Sequence, residues 1–440
     1  MSSGHASSAT TVDSIGARVQ SAAGEIAPHA DEHDRDASFP ADGVAALWRA
    51  GLGNLTLSAE HGGDGLSLLE TARAVRGIGA ADASVGLIWV MHLVHLAFVE
   101  DPGFGLSNDA RDAIIGSSLQ GPALINALRV EPELGTPARG GVPATTATPA
   151  GPNAGTDHAA HDWRLTGHKI YCTGSHGLRW MLVWASVASE DPDEIRIGPF
   201  VVDAEAAGIE VRETWDHLGM RASASHDMIL TSVAVPAGWT GALEPVGAAS
   251  PAGRDPVAVA AMSLLLTSLY VGVAEASCER LADYLHERVS TGLGAPLSSL
   301  PRFQATVGEI ETSLITSRRL LDGLAHDLDA GGEQARGAAP TPAPSRRPSR
   351  GLSSPPPSRR SRWSATPACG VTFPSSGTCA TRCAAGFTAH RTTRSWPTSA
   401  AGRSRAGGPD RVVRRPSQDV LLPDDPSTQP EGHSWSSSSE

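Results

Sequence analysis

Hydrophobic residues recur at helical spacing through the first part of the chain. Val44 and Leu47 lie three residues apart on one face of a predicted helix. Residues 69–78 and 85–99 predict two more helices, and the second is apolar nearly all round, which predicts that it is buried. We therefore predict an N-terminal helical domain over residues 1–121.

The pattern then changes to short apolar runs with alternating positions, bounded by Gly, Pro or Asp, as strands usually are. The runs cover residues 163–171, 180–187, 198–202, 209–214 and 228–235. Several short strands with turn signals predict a small β-barrel or sandwich, which we place at residues 122–240. Residues 144–162 are small and polar, so we expect them to form a long mobile loop.

Helical spacing returns over residues 255–339, where two long helices each carry an apolar stripe. Residues 257–274 contain no charge, but Ser263 and Thr267 interrupt the run and Glu275 follows without a break in pattern. A buried helix therefore fits this run better than a membrane span. Two helices cannot close a bundle by themselves, so we predict an incomplete C-terminal helical bundle.

The amino-acid composition of the chain changes abruptly near Pro340. Residues 334–409 contain no Asp or Glu, and Leu352 is their only Leu. Such a segment cannot bury enough apolar surface to offset its chain entropy. Residues 340–440 therefore form either a disordered tail or a segment read in the wrong frame. The second interpretation is favoured, because a one-nucleotide shift in GC-rich codons gives helix-like strings with mixed charge.

Composition limits the class of protein. The net charge of -12 argues against a nucleic-acid surface on the α+β body. The N-terminus lacks a basic segment followed by an apolar run, so we expect no signal peptide, no membrane insertion and a cytoplasmic protein. Cys172 and Cys278 lie far apart in the body, which fits a reducing compartment.

Four segments resemble motifs of the acyl-CoA dehydrogenase family, in the family's order. NALRVEPELGTPARGG (126–141) resembles the strand and loop VTEPxAGSD, and WRLTGHKIYCTGS (163–175) resembles G-x-K-x-W-I-T-N. WDHLGMRASASHDMILTSVAVP (215–236) resembles the G-x-R-x-S strand pair, and ERVSTGLGAPLSSLPRFQ (287–304) resembles the ERxxFGxxxxxxQ turn. The resemblance covers roughly residues 12–339, and the shifted frame would add a fifth motif.

This resemblance implies an FAD enzyme that removes hydrogen across the α,β bond of an acyl thioester. The expected partner is a small molecule, acyl-CoA or similar. The family motifs imply cofactor contacts at Leu128, Val130, Thr136, Tyr171, Thr173, Arg288 and Gln304. The last two match residues that reach the FAD of a neighbouring subunit, so the resemblance also implies a homo-oligomer, a dimer or tetramer, if the bundle is intact.

The chain departs from the family pattern at several positions. Val130 stands where Thr is usual, Arg129 precedes it, and Tyr171 stands where Trp is common. The usual catalytic glutamate belongs to a region that the chain does not encode in frame, so we name no catalytic base. These departures leave two alternatives open: a flavin-dependent monooxygenase on the same fold, and a non-functional remnant.

His92 and His95 share a helix face at a spacing that could suit a metal. Their neighbours are apolar and no carboxylate lies nearby in the sequence. We therefore predict buried structural histidines and no metal site.

Overall fold

The computed structural model describes residues 5–134, 141–150, 162–187, 195–246 and 256–332. The predicted tail at 340–440, the predicted site residue Thr136 and most of the predicted loop at 144–162 lie outside the described residues.

Six helices form the N-terminal part, and polar caps fix where several begin. They are α1 (His5–Ile26), α2 (Ala30–Asp36), α3 (Ala41–Arg49), α4 (Leu68–Ala81), α5 (Ala83–Glu100) and α6 (Asn108–Gln120). Ser67 and Glu70 form a capping box at the start of α4. Asp82 accepts hydrogen bonds from two backbone N–H groups at the start of α5. The predicted N-terminal helices are therefore confirmed.

Among the described residues, the middle part is one eight-stranded sheet, so the predicted β-strand region between the helical parts is confirmed. Its strands are β1 (Leu124–Leu128), β2 (Thr146–Pro149), β3 (Trp163–Cys172), β4 (Leu178–Val187), β5 (Arg196–Asp203), β6 (Ile209–Arg212), β7 (His226–Val235) and β8 (Glu244–Pro245). The order is β6-β7-β3-β2-β4-β5-β8, and β1 also pairs with β4. Both β1 and β2 run parallel to β4.

β2 corrects part of the prediction, because residues 146–149 were expected to lie in a loop. The strand pairs antiparallel with β3 and parallel with β4, which satisfies its backbone polar groups. Only Ala147 in it is fully buried, so four residues carry too little alternation to predict a strand.

Both faces of the sheet are covered, which explains the nearly continuous apolar run of β4. Leu128, Val183 and Phe200 belong to the core on one face. Trp180 and Trp184 belong to the core on the other face, which packs against residues of α5 and α6.

Two long helices follow the sheet: α7 (Pro256–Glu287) and α8 (Pro301–Asp329). Leu265 and Leu269 of α7 and Ala325 of α8 join a core with the N-terminal helices. Part of the apolar surface of each helix thus packs against the N-terminal helices. A Cβ on Gly272 would overlap the backbone oxygen of Arg76, so only glycine allows α7 to lie this close to α4.

Within the ranges that the structure describes, two helices are long and apolar enough to cross a membrane by length and composition, Ala83–Glu100 and Pro256–Glu287. The first of them is two-thirds buried inside the protein. This is weak support for a membrane span, because a core helix of a soluble protein passes the same test.

His92 and His95 are buried on α5, as predicted. His92 Nε2 donates to the carbonyl oxygen of Gly53 at 2.9 Å, and its Nδ1 accepts from the N–H of Ile125 at 3.2 Å. His95 Nδ1 donates to the carbonyl oxygen of Met91 at 2.7 Å. Burial lowers the pKa of each ring to about 4. Both histidines are therefore neutral structural groups near pH 7.

Candidate functional site

A buried ion pair fixes the end of β1 against β3. Lys169 Nζ donates to Glu131 Oε1 and to the carbonyl oxygen of Trp184, both at 2.6 Å. Thr145 Oγ1 also donates to Glu131 at 2.6 Å. Burial alone would raise the pKa of Glu131, but the bonds from Lys169 and Thr145 outweigh it and leave that pKa below its usual value. The carboxylate is therefore ionised, and it holds three chain segments together.

The end of β3 exposes an aromatic side chain. Tyr171 has a φ of 57°, a left-handed conformation that is uncommon for a residue with a side chain, and it is 51% exposed. The pairing register between β3 and β7 shifts at this point. The Tyr171 ring lies edge-on to Trp215 at 6.2 Å, and His217 stacks on Trp215 at 3.8 Å. These three rings, the aromatic cluster, border the end of β3.

A chain of hydroxyl groups begins beside the aromatic cluster at Thr173. Thr173 Oγ1 lies 2.9 Å from Ser225 Oγ, which lies 2.8 Å from Ser223 Oγ. Both serines are buried. Asn126 Nδ2 donates to the carbonyl oxygen of Thr173 at 3.0 Å and ties the same residue to β1. If the serine protons point toward Thr173, the Thr173 proton is free to donate to a ligand.

The turn that carries Ser223 has two strained residues, one on each side. Met220 has a φ of 53° and Ala224 a φ of 44°, both in the left-handed region. Each such residue costs about 1–2 kcal/mol and needs support from its surroundings. Arg221 supplies part of it, because its Nε donates to the carbonyl oxygen of Asp34 at 2.9 Å. Gly174 N supplies more by donating to Ser223 O at 2.9 Å.

The structure brings together four of the predicted site residues. The backbone oxygen of Val130 accepts from Ile170 N at 3.0 Å, so Val130 lies beside β3, next to Tyr171 and shortly before Thr173. Leu128 lies on the same strand end as Val130. Its side chain is 2% exposed in the sheet core, which leaves only its backbone for a ligand.

Arg288 and Gln304 lie apart from these residues, at the turn between α7 and α8. Both are exposed. Gln304 Nε2 donates to the carbonyl oxygen of Ser298 at 2.9 Å, and Arg288 O accepts from Leu297 N at 2.9 Å. Within the described part of the chain, no hydrogen bond or ion pair links them to Thr173.

Sequence reasoning did not single out Asn126, Ser223, Ser225 or Trp215. A signal existed for Asn126, which is the one polar residue in an otherwise apolar strand. The sequence carried no such signal for Ser223 and Ser225, because their contact with Thr173 depends on how their turn lies against the end of β3.

Three family models match the chain in order. They are the N-terminal domain of acyl-CoA dehydrogenase at residues 17–100, its middle domain at 132–233 and its C-terminal domain at 264–382. The chain belongs to the acyl-CoA dehydrogenase family. The last match extends past residue 340 and marks no boundary there, so the reading-frame change remains a prediction.

Known proteins of this family differ in activity. The putative acyl-CoA dehydrogenase YdbM of Bacillus subtilis (strain 168) is 31% identical over 312 residues, covering 70% of this chain and 75% of YdbM. L-evernosamine nitrososynthase of Micromonospora sp. is 25% identical, covering 69% and 67%. The structure of TdsC from Paenibacillus sp. A11-2 with FMN and indole has a TM-score of 0.63 and 25% identity, covering 74% and 78%.

The residues at the end of β3 fit a flavin. A flavin has a flat apolar ring and a polar edge of nitrogen and carbonyl oxygen atoms. Tyr171 offers an aromatic surface, and the Thr173 hydroxyl, held by Ser225, offers a donor for the edge. The site therefore combines the two kinds of contact that the family cofactor requires.

Proposed function

We propose that this protein is an FAD-dependent oxidoreductase that removes hydrogen across the α,β bond of an acyl thioester. The observation that carries the proposal is the Thr173 hydroxyl, which lies 2.9 Å from the first of two linked buried serines and near the exposed ring of Tyr171. The family membership and the similarity to YdbM support the choice of cofactor and substrate.

The bound FAD supplies the capacity to accept two electrons and a proton. The chain's own residues bind and orient the reactants. With its oxygen accepting from Ser225, the Thr173 hydroxyl would donate its hydrogen to the edge of a bound flavin ring. The aromatic cluster would line one side of a flavin ring bound at the end of β3. Asn126 keeps Thr173 in place through its backbone.

A second candidate is a flavin-dependent monooxygenase on the same fold. Val130 and Tyr171 replace the Thr and Trp that the dehydrogenase motifs usually carry. TdsC is a dibenzothiophene monooxygenase, and L-evernosamine nitrososynthase is another relative with a different activity. These similarities favour a non-thioester substrate as the alternative.

Anaerobic spectroscopy separates the two candidates. The full chain is purified, and the released flavin is identified as FAD or FMN by chromatography. A panel of acyl-CoA thioesters is then mixed with the protein without oxygen. Bleaching of the flavin absorbance supports dehydrogenation. Oxygen consumption that requires reduced flavin and a non-thioester substrate supports the monooxygenase. A colourless protein that cannot be reconstituted with either flavin contradicts both.

We also propose that the protein forms a dimer or tetramer. Arg288 and Gln304 are exposed and lie apart from Thr173, as expected if they serve a neighbouring subunit. Light scattering coupled to size-exclusion chromatography measures the mass directly, and a monomer that binds flavin fully contradicts this assignment.

A further inference from the structure

Arg129 is a half-buried cation for which the described residues provide no carboxylate partner, and it lies between two predicted cofactor contacts, Leu128 and Val130. Its guanidinium carbon lies 4.4 Å from the centroid of the Trp184 ring. Its Nε is fully buried and has no hydrogen-bond partner among the residues that the structure describes. Burial lowers the pKa of Arg129. A cation in this condition is unusual, because buried charges are nearly always paired.

The groups around Arg129 do not neutralise it. Glu131 is the nearest carboxylate along the chain, and it already accepts from Lys169, Thr145 and a backbone N–H. Lys169 adds a second positive charge, so this part of the described site holds two cations against one carboxylate. His95 is kept neutral, mainly by burial and also by the charge of Arg129. The region therefore has a positive potential that a bound anion would relieve.

The stacking on Trp184 uses the face of the guanidinium, and its Nε donates to no group that the structure describes. A guanidinium donates several N–H groups in one plane, and that plane can lie on an aromatic ring while its edge binds an anion. A lysine at this position could not make both contacts. The geometry therefore matches a residue placed to recognise a planar or multi-oxygen anion rather than one placed for packing alone.

We propose that Arg129 binds negative charge on the ligand of this site, either charge on the reduced flavin ring or an acid group of the substrate. This inference rests on the proposed function, because the flavin is placed by Thr173 and Tyr171. Charge beside the flavin ring is one of the means by which a protein sets how readily the flavin is reduced.

Arg179 provides a matched control on the same sheet. Its guanidinium carbon lies 4.9 Å from the ring centroid of Trp180, an equivalent stacking four residues earlier on β4. Unlike Arg129, it is paired with Asp203 and with Glu205. Arg179→Leu therefore removes the same kind of stacking without removing an unpaired cation.

The first measurement uses the protein without flavin and inorganic phosphate as the probe. Urea unfolding is followed with and without phosphate for wild type, Arg129→Leu and Arg179→Leu. We expect phosphate to stabilise wild type and Arg179→Leu, and we expect at least tenfold weaker phosphate binding in Arg129→Leu. We also expect Arg129→Leu to be no less stable than wild type without phosphate, because it removes an uncompensated charge. If the leucine variant does not fold, Arg129→Lys replaces it; the lysine keeps the charge but lacks the planar fork, so its phosphate binding should also be weaker than that of wild type.

The second measurement identifies the source of the negative charge in the flavin-loaded protein. If the flavin is the source, the reduced-to-oxidised ratio at a fixed potential falls about tenfold in Arg129→Leu, a shift of about 30 mV for a two-electron couple. If a substrate group is the source, the potential is unchanged but phosphate binding to the loaded protein is lost. Unchanged potential and unchanged phosphate binding in Arg129→Leu overturn the proposal. Failure of wild type to bind flavin contradicts the proposed function, while the phosphate measurement still tests Arg129.

Discussion

Acidification should destabilise this protein through His92 at a pH where few carboxylates titrate. The buried ring donates from Nε2 to Gly53 O and accepts at Nδ1 from Ile125 N–H, so both nitrogens are used in the neutral form. A second proton on Nδ1 would face the N–H of Ile125. Burial accordingly lowers the pKa of His92 from 6.5 to about 4.

The sign and size follow from these values. The unfolded chain protonates its histidine first, so the His92 contribution is complete above pH 6.5 and is lost as the pH falls toward 4. A difference of about 2.5 pKa units corresponds to about 3.4 kcal/mol in full, at about 1.36 kcal/mol per unit. By pH 5 roughly 2 kcal/mol of it should be gone. That is a large share of the stability of an ordinary domain.

Urea unfolding at pH 7 and pH 5 measures this loss in wild type and His92→Gln. The glutamine can still donate to Gly53 but does not titrate. At pH 7 the variant should be about 1–3 kcal/mol less stable, because the Ile125 N–H loses its acceptor. Between pH 7 and pH 5 it should lose about 2 kcal/mol less than wild type. His286→Gln is the control, because His286 makes a similar bond to its own helix but is exposed. Equal losses in wild type and His92→Gln would refute the reasoning.

Three further changes test other parts of the structure. Ser225→Ala should weaken flavin binding by about 1 kcal/mol, or about fivefold, because the end of the hydroxyl chain loses its orientation. Gly272→Ala should destabilise the protein by about 1–3 kcal/mol, because the new methyl group overlaps the backbone of α4, whereas Gly308→Ala in α8 meets open space and should be neutral or stabilising. Lys169→Met should cost about 3–5 kcal/mol, because it leaves Glu131 buried without its partner.

Each of these has an outcome that contradicts it. Flavin titration should show that Ser225→Thr keeps the flavin affinity of wild type. If Ser225→Ala also kept that affinity, the hydroxyl chain would not contribute to flavin binding. Equal unfolding free energies for Gly272→Ala and Gly308→Ala would mean that α7 and α4 are not closely packed. The double variant Lys169→Met/Glu131→Gln should regain part of the loss, and further destabilisation would argue against a coupled pair.

The elements that sequence alone predicted are those with long periodic patterns and polar caps. α4 and α5 agree with the predicted ranges to within a few residues, because Ser67 and Asp82 mark where they begin. β2 was missed because its pairing with β3 and β4, not its own four residues, makes it a strand. Hydrophobic periodicity shows which face of a segment packs against one neighbouring element. It does not predict the conformation of a short segment that is a strand only because of the strands on both sides of it.

The candidate site divides in the same way. Tyr171 and Thr173 could be named from a motif that is contiguous in the sequence. Ser225 lies 52 residues from Thr173, and their contact exists only because β7 pairs with β3. The sequence also could not predict that Arg129 lacks a carboxylate partner among the described residues. That depends on the hydrogen bond between Glu131 and Lys169, a lysine 38 residues away.

The single lysine of this chain is fully enclosed, because Lys169 has no solvent-accessible surface. Amine-directed reagents should consequently modify the native protein at its α-amino group alone. Acylation of the ε-amine would then require the sheet to open. The fraction of chains acylated after brief labelling, measured by mass spectrometry, would therefore report how often the sheet opens.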